Sequence, residues 1–198
     1  MRQTAANLTA VSRRLTAERG LGGFTIEEVC DEVDVSRRTF FNYFACKEDA
    51  VIGGNADSDF EALAEAFLAG EPGDWSRALQ DLVDLVVAHM EADDVDPATH
   101  TYFMAALERE PRLLARFLGV TRERERLIRA LVAQREGVQD DDPRAAAVVG
   151  ILATLMQSAA QRFIDPANTQ EFSSILTTSL AAFRTVLAVP TPVKGDMS

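Results

Sequence analysis

The sequence predicts an all-α protein, an N-terminal three-helix domain followed by a C-terminal bundle of about six helices. Three observations carry that expectation. Apolar residues recur at three- and four-residue spacing through most of the 198 residues. No run of four or more alternating apolar and polar residues rich in Val, Ile, Thr and aromatics stands between turn residues, so strand signals are missing. Helix start and stop residues divide the chain repeatedly.

In order, Leu8, Val11 and Leu15 follow an i, i+3, i+7 pattern that Gly20 can close, which predicts a first helix over residues 4–19. Thr25-Ile26-Glu27-Glu28 has the form of a capping box and opens a second helix with Ile26, Val29, Cys30 and Val33 inward. After the brief connection Asp34-Val35, Ser36 stands as N-cap to a third helix over residues 37–43. Residues 47–70 read as one helix, although Gly53 and Gly54 in its middle each cost about 1 kcal/mol relative to alanine. Residues 75–90 carry Leu79, Leu82, Val83 and Val86 on one side, and Pro97 opens a helix over 97–110. Residues 111–135 predict one long helix with Leu113, Leu114, Phe117, Val120, Leu127, Ile128 and Leu131 inside. Asp140-Asp141-Asp142-Pro143 is a strong helix start, and residues 143–163 are apolar on nearly every side, which predicts burial all round. A last helix, 169–189, has Phe172, Leu176, Leu180, Phe183 and Leu187 on one face and Ile175, Ala182 and Val186 on another, and Pro190 and Pro192 end it.

Composition excludes several classes. With 47% hydrophobic residues the chain can build a core, so disorder throughout is excluded. No apolar run reaches the roughly 20 residues of a membrane span, and residues 1–11 lack a signal-peptide apolar segment, so a cytoplasmic protein without membrane contact is expected. Cys30 and Cys46 form neither a CxxC pair nor a disulfide framework. No nucleophile elbow, P-loop or dinucleotide fingerprint is present, so no catalytic residues and no cofactor are expected. His89, Glu91, Asp93, Asp94, Asp96 and His100 match no metal-ligand spacing and read as an acidic loop. The net charge of -11 opposes phosphate at long range, but it is unevenly spread. Residues 1–50 hold seven basic and eight acidic side chains, and the remainder thirteen and twenty-three. Residues 1–50 and 51–198 therefore read as two domains with different electrostatic tasks.

A short helix, a tight turn and a serine-capped second helix form the helix-turn-helix pattern, whose second helix enters the major groove N-terminus first. Arg37 and Arg38 lie in its first turn, where arginine can donate a bidentate pair to guanine. Thr39 can meet a base or a phosphate. Phe40 and Phe44, four apart, pin the helix inward, which leaves Phe41 to meet a thymine methyl and Asn42 and Tyr43 to meet phosphate. Lys47 adds a charge at the next helix start. Spacing alone leaves a plain helical hairpin with an exposed arginine pair equally open.

The stretches Phe24-Thr25-Ile26-Glu27-Glu28-Val29 and Val35-Ser36-Arg37-Arg38-Thr39-Phe40-Phe41-Asn42-Tyr43-Phe44, followed by Lys47-Glu48, resemble the N-terminal signature of the TetR/AcrR family of bacterial transcriptional regulators over residues 8–50. That resemblance implies an all-helical homodimer with an N-terminal DNA-binding domain and a C-terminal effector domain, most often a repressor. It implies that Thr25, Tyr43 and Lys47 hold phosphates and that Arg37, Arg38 and Thr39 read bases, with Ser36 also at the interface. Three residues depart from the family pattern: Asp34 stands for a turn glycine, Phe41 for a tyrosine, and Cys46 for serine or asparagine. Aspartate tolerates the left-handed conformation better than most residues. Cys46 reads as a weak helix cap, with a redox-sensitive thiol as the alternative. Asp34 and Phe41 also define a rival reading, a helical ligand-binding or protein-interaction module whose helix-turn-helix has lost DNA.

In the second domain, Phe67, Trp75, Leu79, Val83, Phe103, Met104, Leu107, Phe117, Met156 and Gln157 are candidates to line an effector pocket for an apolar or aromatic small molecule. The helices at 143–163 and 169–189 need a second surface, and a twofold four-helix interface would supply it and set two reading heads for a palindromic operator.

Overall fold

Ten α-helices and no strand form among the described residues of the computed structural model, which are 2–53, 56–92, 97–165 and 167–187. α1 (Arg2–Arg19), α2 (Ile26–Val33) and α3 (Arg37–Tyr43) enclose a small core of Leu8, Leu15, Phe24, Val29, Phe40 and Phe44. Each such side chain contributes about 1.5–3 kcal/mol on burial, enough together to hold three short helices that could not stand alone. α4 (Lys47–Ile52) lies against α1. α5 (Ala56–Leu68), α6 (Trp75–Ala92), α7 (Pro97–Arg109), α8 (Pro111–Glu136), α9 (Pro143–Phe163) and α10 (Phe172–Leu187) follow. The largest core joins α5, α6, α8, α9 and α10 through Phe67, Leu79, Val83, Val132, Leu152 and Ile175. A third cluster, Val51, Phe103, Ala106, Leu107 and Leu113 with Phe117 at its edge, sits where α4, α7 and α8 meet.

The single helix expected over 47–70 is two. Gly53 takes a left-handed φ of 83° and closes α4, its N–H donating to the Asp49 carbonyl at 2.9 Å. Had the helix continued, the Val51 and Ile52 carbonyls would have accepted from the next turn. They accept instead from Arg13 of α1, whose Nε and Nη2 lie 2.9 and 3.1 Å away. Gly54 lies outside the described residues.

α8 forms as expected, but Leu114, Val120 and Leu127, expected inside, are exposed, as is Leu118. Its ends are held, by Leu113 against α7 and by Val132 and Ala133 against the main core. Between them a narrow seam of Phe117, Thr121, Glu125 and Ile128 turns inward, and it widens through Arg129, Ala130 and Leu131 toward the main core.

α9 is buried on one side rather than all round. Ala145, Val148, Leu152, Leu155, Ala159 and Phe163 face the core, while Ala146, Ala147, Gly150, Thr154, Gln157 and Ser158 are exposed. By length and hydropathy α9 could also cross a membrane. Its apolar side is instead consumed by α6, α8 and α10. α10 begins at Phe172, not 169, and its outer positions Ala182, Val186 and Leu187 are exposed, Val186 to 82%. Residues 188–190 and Pro192 lie outside the described residues.

A buried arginine ties α5, α6 and α8 together. Arg135 Nη2 donates to Asp81 Oδ2 at 2.7 Å and to the Glu71 carbonyl at 3.1 Å, with its guanidinium 4.6 Å above the Phe67 ring. Gly70 is required beside it, because a Cβ there would come within 2.5 Å of the Arg135 Cζ.

Candidate nucleic-acid interface

Local bonds set the angle between α2 and α3. Thr25 caps α2, its Oγ1 accepting from the Glu28 N–H at 3.1 Å while Glu28 Oε2 accepts from the Thr25 N–H at 2.7 Å. The backbone bond to Thr25, helped by Arg19, holds the Glu28 carboxyl below its usual pKa. At the other end Asp34 takes φ 57°, ψ 50°, the left-handed conformation that the turn demands, and the Val35 N–H donates to the Cys30 carbonyl at 2.9 Å. Aspartate therefore supports the turn that a glycine would usually make. Ser36 then caps α3, accepting from the Thr39 N–H at 3.0 Å and sharing a 2.8 Å hydrogen bond with the Thr39 hydroxyl.

With Phe40 and Phe44 buried, the opposite face of α3 is fixed outward. Arg37, Arg38, Phe41 and Asn42 are exposed on it, Thr39 is half-buried, and Tyr43 packs against the three-helix core. The two arginines differ. No described residue pairs with Arg38, whereas Arg37 Nη1 donates to Glu27 Oε1 of α2 at 2.6 Å and its Cζ lies 5.5 Å from the centre of the Phe41 ring. The Thr25 and Ser36 hydroxyls serve as caps.

Lys47 has a position that its sequence context does not reveal. Its ammonium donates to the Leu21 carbonyl and, at 2.8 Å, to the Phe24 carbonyl, and it stands 4.5 Å over the Phe24 ring. It clasps the α1–α2 connection, with one of its three N–H groups left for another partner. Cys46 precedes α4 without capping it, and its thiol donates to Asp49 Oδ2 at 3.2 Å. Burial, reinforced by the neighbouring carboxylates, pushes that thiol up to about 11, so it stays protonated at neutral pH. Cys30 is buried in the core, and burial raises its thiol too.

Sequence reasoning missed the side chains that join this face to the rest of the molecule. Arg13 bridges α4 and the Phe103 ring of α7, with Cζ 4.5 Å above the ring. Glu110 Oε1 accepts from the Leu21 N–H at 2.8 Å, and Arg116 of α8 donates to Asp49 of α4 at 3.0 Å. All three contacts span more than 35 positions in sequence, beyond the reach of any spacing rule.

Eight of the ten residues expected around an effector separate into two groups. Phe67, Leu79 and Val83 belong to the main core, with Trp75 and Met156 packed against it. Phe103, Leu107 and Phe117 belong to the cluster at α4, α7 and α8. Met104 and Gln157 are exposed. None of the ten lines either of two surface clefts. One, about 260 Å³, lies between α9 and α10 and is lined by Ala147, Gly150, Ile151, Thr154, Leu155 and Phe183. The other, about 340 Å³, is lined by Ala66, Ala69 and Gly70 at the end of α5 and Asp81, Asp84 and Leu85 of α6. Among the described residues no cluster of His, Cys, Asp and Glu is placed to hold a metal ion. Asp93, Asp94 and Asp96 lie outside the described residues.

Comparison with known proteins gives matches in both halves of the chain. The family model for bacterial regulatory proteins of the tetR family matches residues 8–51, and that for the MftR C-terminal domain matches residues 76–188. The HTH-type transcriptional regulator TcmR of Streptomyces glaucescens is 32% identical over 160 residues, spanning 76% of this chain and 69% of TcmR. Among solved structures, a protein of Syntrophomonas wolfei assigned as a TetR-family transcriptional regulator shares the fold, with a TM-score of 0.60 and 17% identity over 97% of each chain.

Proposed function

The chain belongs to the TetR family of DNA-binding transcriptional regulators, and from that premise we propose that it is a homodimeric repressor released from a palindromic operator by a small molecule. The observation that carries the reading is the outward face of α3. Its first turn presents Arg38, without a partner among the described residues, beside Arg37, while Phe40 and Phe44 fix the helix from behind. We assign base reading to Arg37, Arg38, Thr39 and Phe41, and phosphate contact to Thr25, Asn42, Tyr43 and the remaining N–H of Lys47. Ser36 supports the same surface as the cap of α3. Residues 1–50 form the DNA-binding domain and 51–198 the effector and dimer domain.

The dimer forms through α9 and α10. Small exposed residues on α9, Ala147, Gly150 and Thr154, border an apolar cleft with Phe183 of α10, and the outer face of α10 leaves Val186 uncovered. A twofold axis beside that cleft gives a four-helix interface and two recognition helices one turn of DNA apart, roughly 34 Å. The effector is an apolar or aromatic molecule taken up against α5 and α6, through the cleft beside Gly70 toward Phe67, Leu79 and Val83. The residues at the α4–α7–α8 cluster transmit rather than bind. The protein works in the cytoplasm, where its operator is.

Gel shift against the gene's own upstream region tests the reading. A discrete shift that a duplex of scrambled sequence does not compete away supports it; no shift at low salt refutes it. Removing residues 167–198 deletes α10, and a soluble dimer of that truncation would refute the proposed interface.

A further inference from the structure

We propose that Glu27 is a positioning residue for sequence reading, holding the Arg37 guanidinium against Phe41 so that one donor edge faces the base pairs. The proposal rests on α3 being the DNA-reading helix. Arginine has five N–H donors. One of them, on Nη1, is committed to Glu27 Oε1 at 2.6 Å, and the Phe41 ring covers one side of the group, 5.5 Å from Cζ. No described residue takes up the Nε–Nη2 edge, and two parallel N–H groups on one edge are what guanine O6 and N7 accept.

The partner comes from a different helix. Glu27 lies in the first turn of α2, where the helix dipole favours a carboxylate. Its separation from Arg37 is set by the Asp34 and Ser36 geometry of the turn, so the guanidinium is fixed relative to the whole helix-turn-helix and not only to α3. Both side chains are more than half exposed, so the pair adds little to folding. Its consequence falls on DNA. An unheld arginine at this position would sample phosphates and serve any sequence. A held one, beside a carboxylate that phosphates repel, is rewarded only when a matching base meets its free edge. Among the described residues Arg38 has no such restraint, so the base that it reads should not depend on Glu27.

The test selects duplexes from a randomised library with the full-length parent, Arg37→Ala, Glu27→Ala and Glu27→Gln, then titrates salt on one selected and one random duplex. Glu27→Ala should lose preference, roughly two- to fivefold, at the same base position that Arg37→Ala loses. On random DNA it should bind more tightly, with a salt slope steeper by about one as the released guanidinium meets phosphate. Glu27→Gln, whose amide oxygen can still accept from Nη1, should keep most of the preference. Unchanged preference at every position in Glu27→Ala, or equal loss in Glu27→Gln, overturns the proposal. Failure of the parent to enrich any sequence overturns the DNA reading beneath it and the proposal with it.

Discussion

Replacing Arg13 with methionine keeps most of the apolar stem and removes the group on which α1, α4 and α7 converge. Two hydrogen bonds from a charged donor to the Val51 and Ile52 carbonyls are lost, each worth about 1.5–3 kcal/mol. Stacking over Phe103 adds about 1 kcal/mol. Against these stands burial, which lowers the guanidinium pKa to about 10 and so costs the charged form on the order of 3 kcal/mol. The difference is a net loss of about 2 kcal/mol in Arg13→Met, which for a chain of this size lowers the thermal midpoint by about 4–8 °C. The measurement is thermal unfolding at fixed protein concentration, because a dimer's midpoint moves with concentration. A cycle with Phe103→Leu isolates the stacking, expected near 1 kcal/mol. An Arg13→Met midpoint within a degree of the parent would refute the accounting and reduce Arg13 to a passive surface residue.

Other outcomes follow from the same contacts. Burial, and secondarily the Arg13 charge, hold the His100 pKa below its usual value. The folded chain therefore binds fewer protons than the unfolded one, and stability falls as pH drops below about 6.5. Urea unfolding at pH 7 and pH 5.5 should show a loss that His100→Gln lacks, and equal losses in both would disprove the assignment. The Lys47→Met variant should both destabilise the N-terminal domain, by about 2 kcal/mol for two carbonyl bonds, and flatten the salt dependence of DNA binding by about 0.9 in slope. A flatter slope with unchanged unfolding would show that the Leu21 and Phe24 contacts carry nothing. Cys46, its thiol pushed up to about 11, should alkylate with iodoacetamide at pH 7.5 far more slowly than a free thiol in solution; rapid labelling would contradict its protonation.

What could be read from the sequence was whatever depends on neighbours in the chain. The capping box at Thr25, the Ser36 cap, the left-handed tolerance of Asp34 and the inward pair Phe40 and Phe44 are all local, and each has its expected place. Gly53 was legible as a weak point, but the partner that takes up the Val51 and Ile52 carbonyls when α4 ends there is Arg13, 38 and 39 positions before them. The outward Leu114, Val120 and Leu127 mislead for a related reason. Helical periodicity says which residues share a stripe, and only the positions of α5, α7 and α9 decide how wide a stripe is covered. Arg37 and Arg38 are indistinguishable in sequence. Glu27, ten residues earlier on another helix, makes them different.

The placement of these long-range contacts constrains how an effector can act. α9 and the inner face of α10 are packed into the main core, far in sequence from the reading head and without a bond to it among those described. The head is held by α7, α8 and their junction: Arg13 on Phe103, Glu110 on the α1–α2 connection, and Arg116 on α4. A molecule that enters between α5 and α6 shifts the head only if it binds one position of α7 and α8 more tightly than another. Its leverage is bounded by the contacts that must rearrange. An exposed ion pair such as Arg116–Asp49 is worth at most about 1 kcal/mol and can be traded for water at small cost. The Arg13 bonds, half-buried beneath Phe103, cannot be. Those bonds join α1 to α4 within the head, so the head moves as one piece while the Arg116 and Glu110 contacts exchange; removing Arg116 should change how strongly effector and DNA oppose each other, and Arg13→Met should weaken that opposition by loosening α4 from α1.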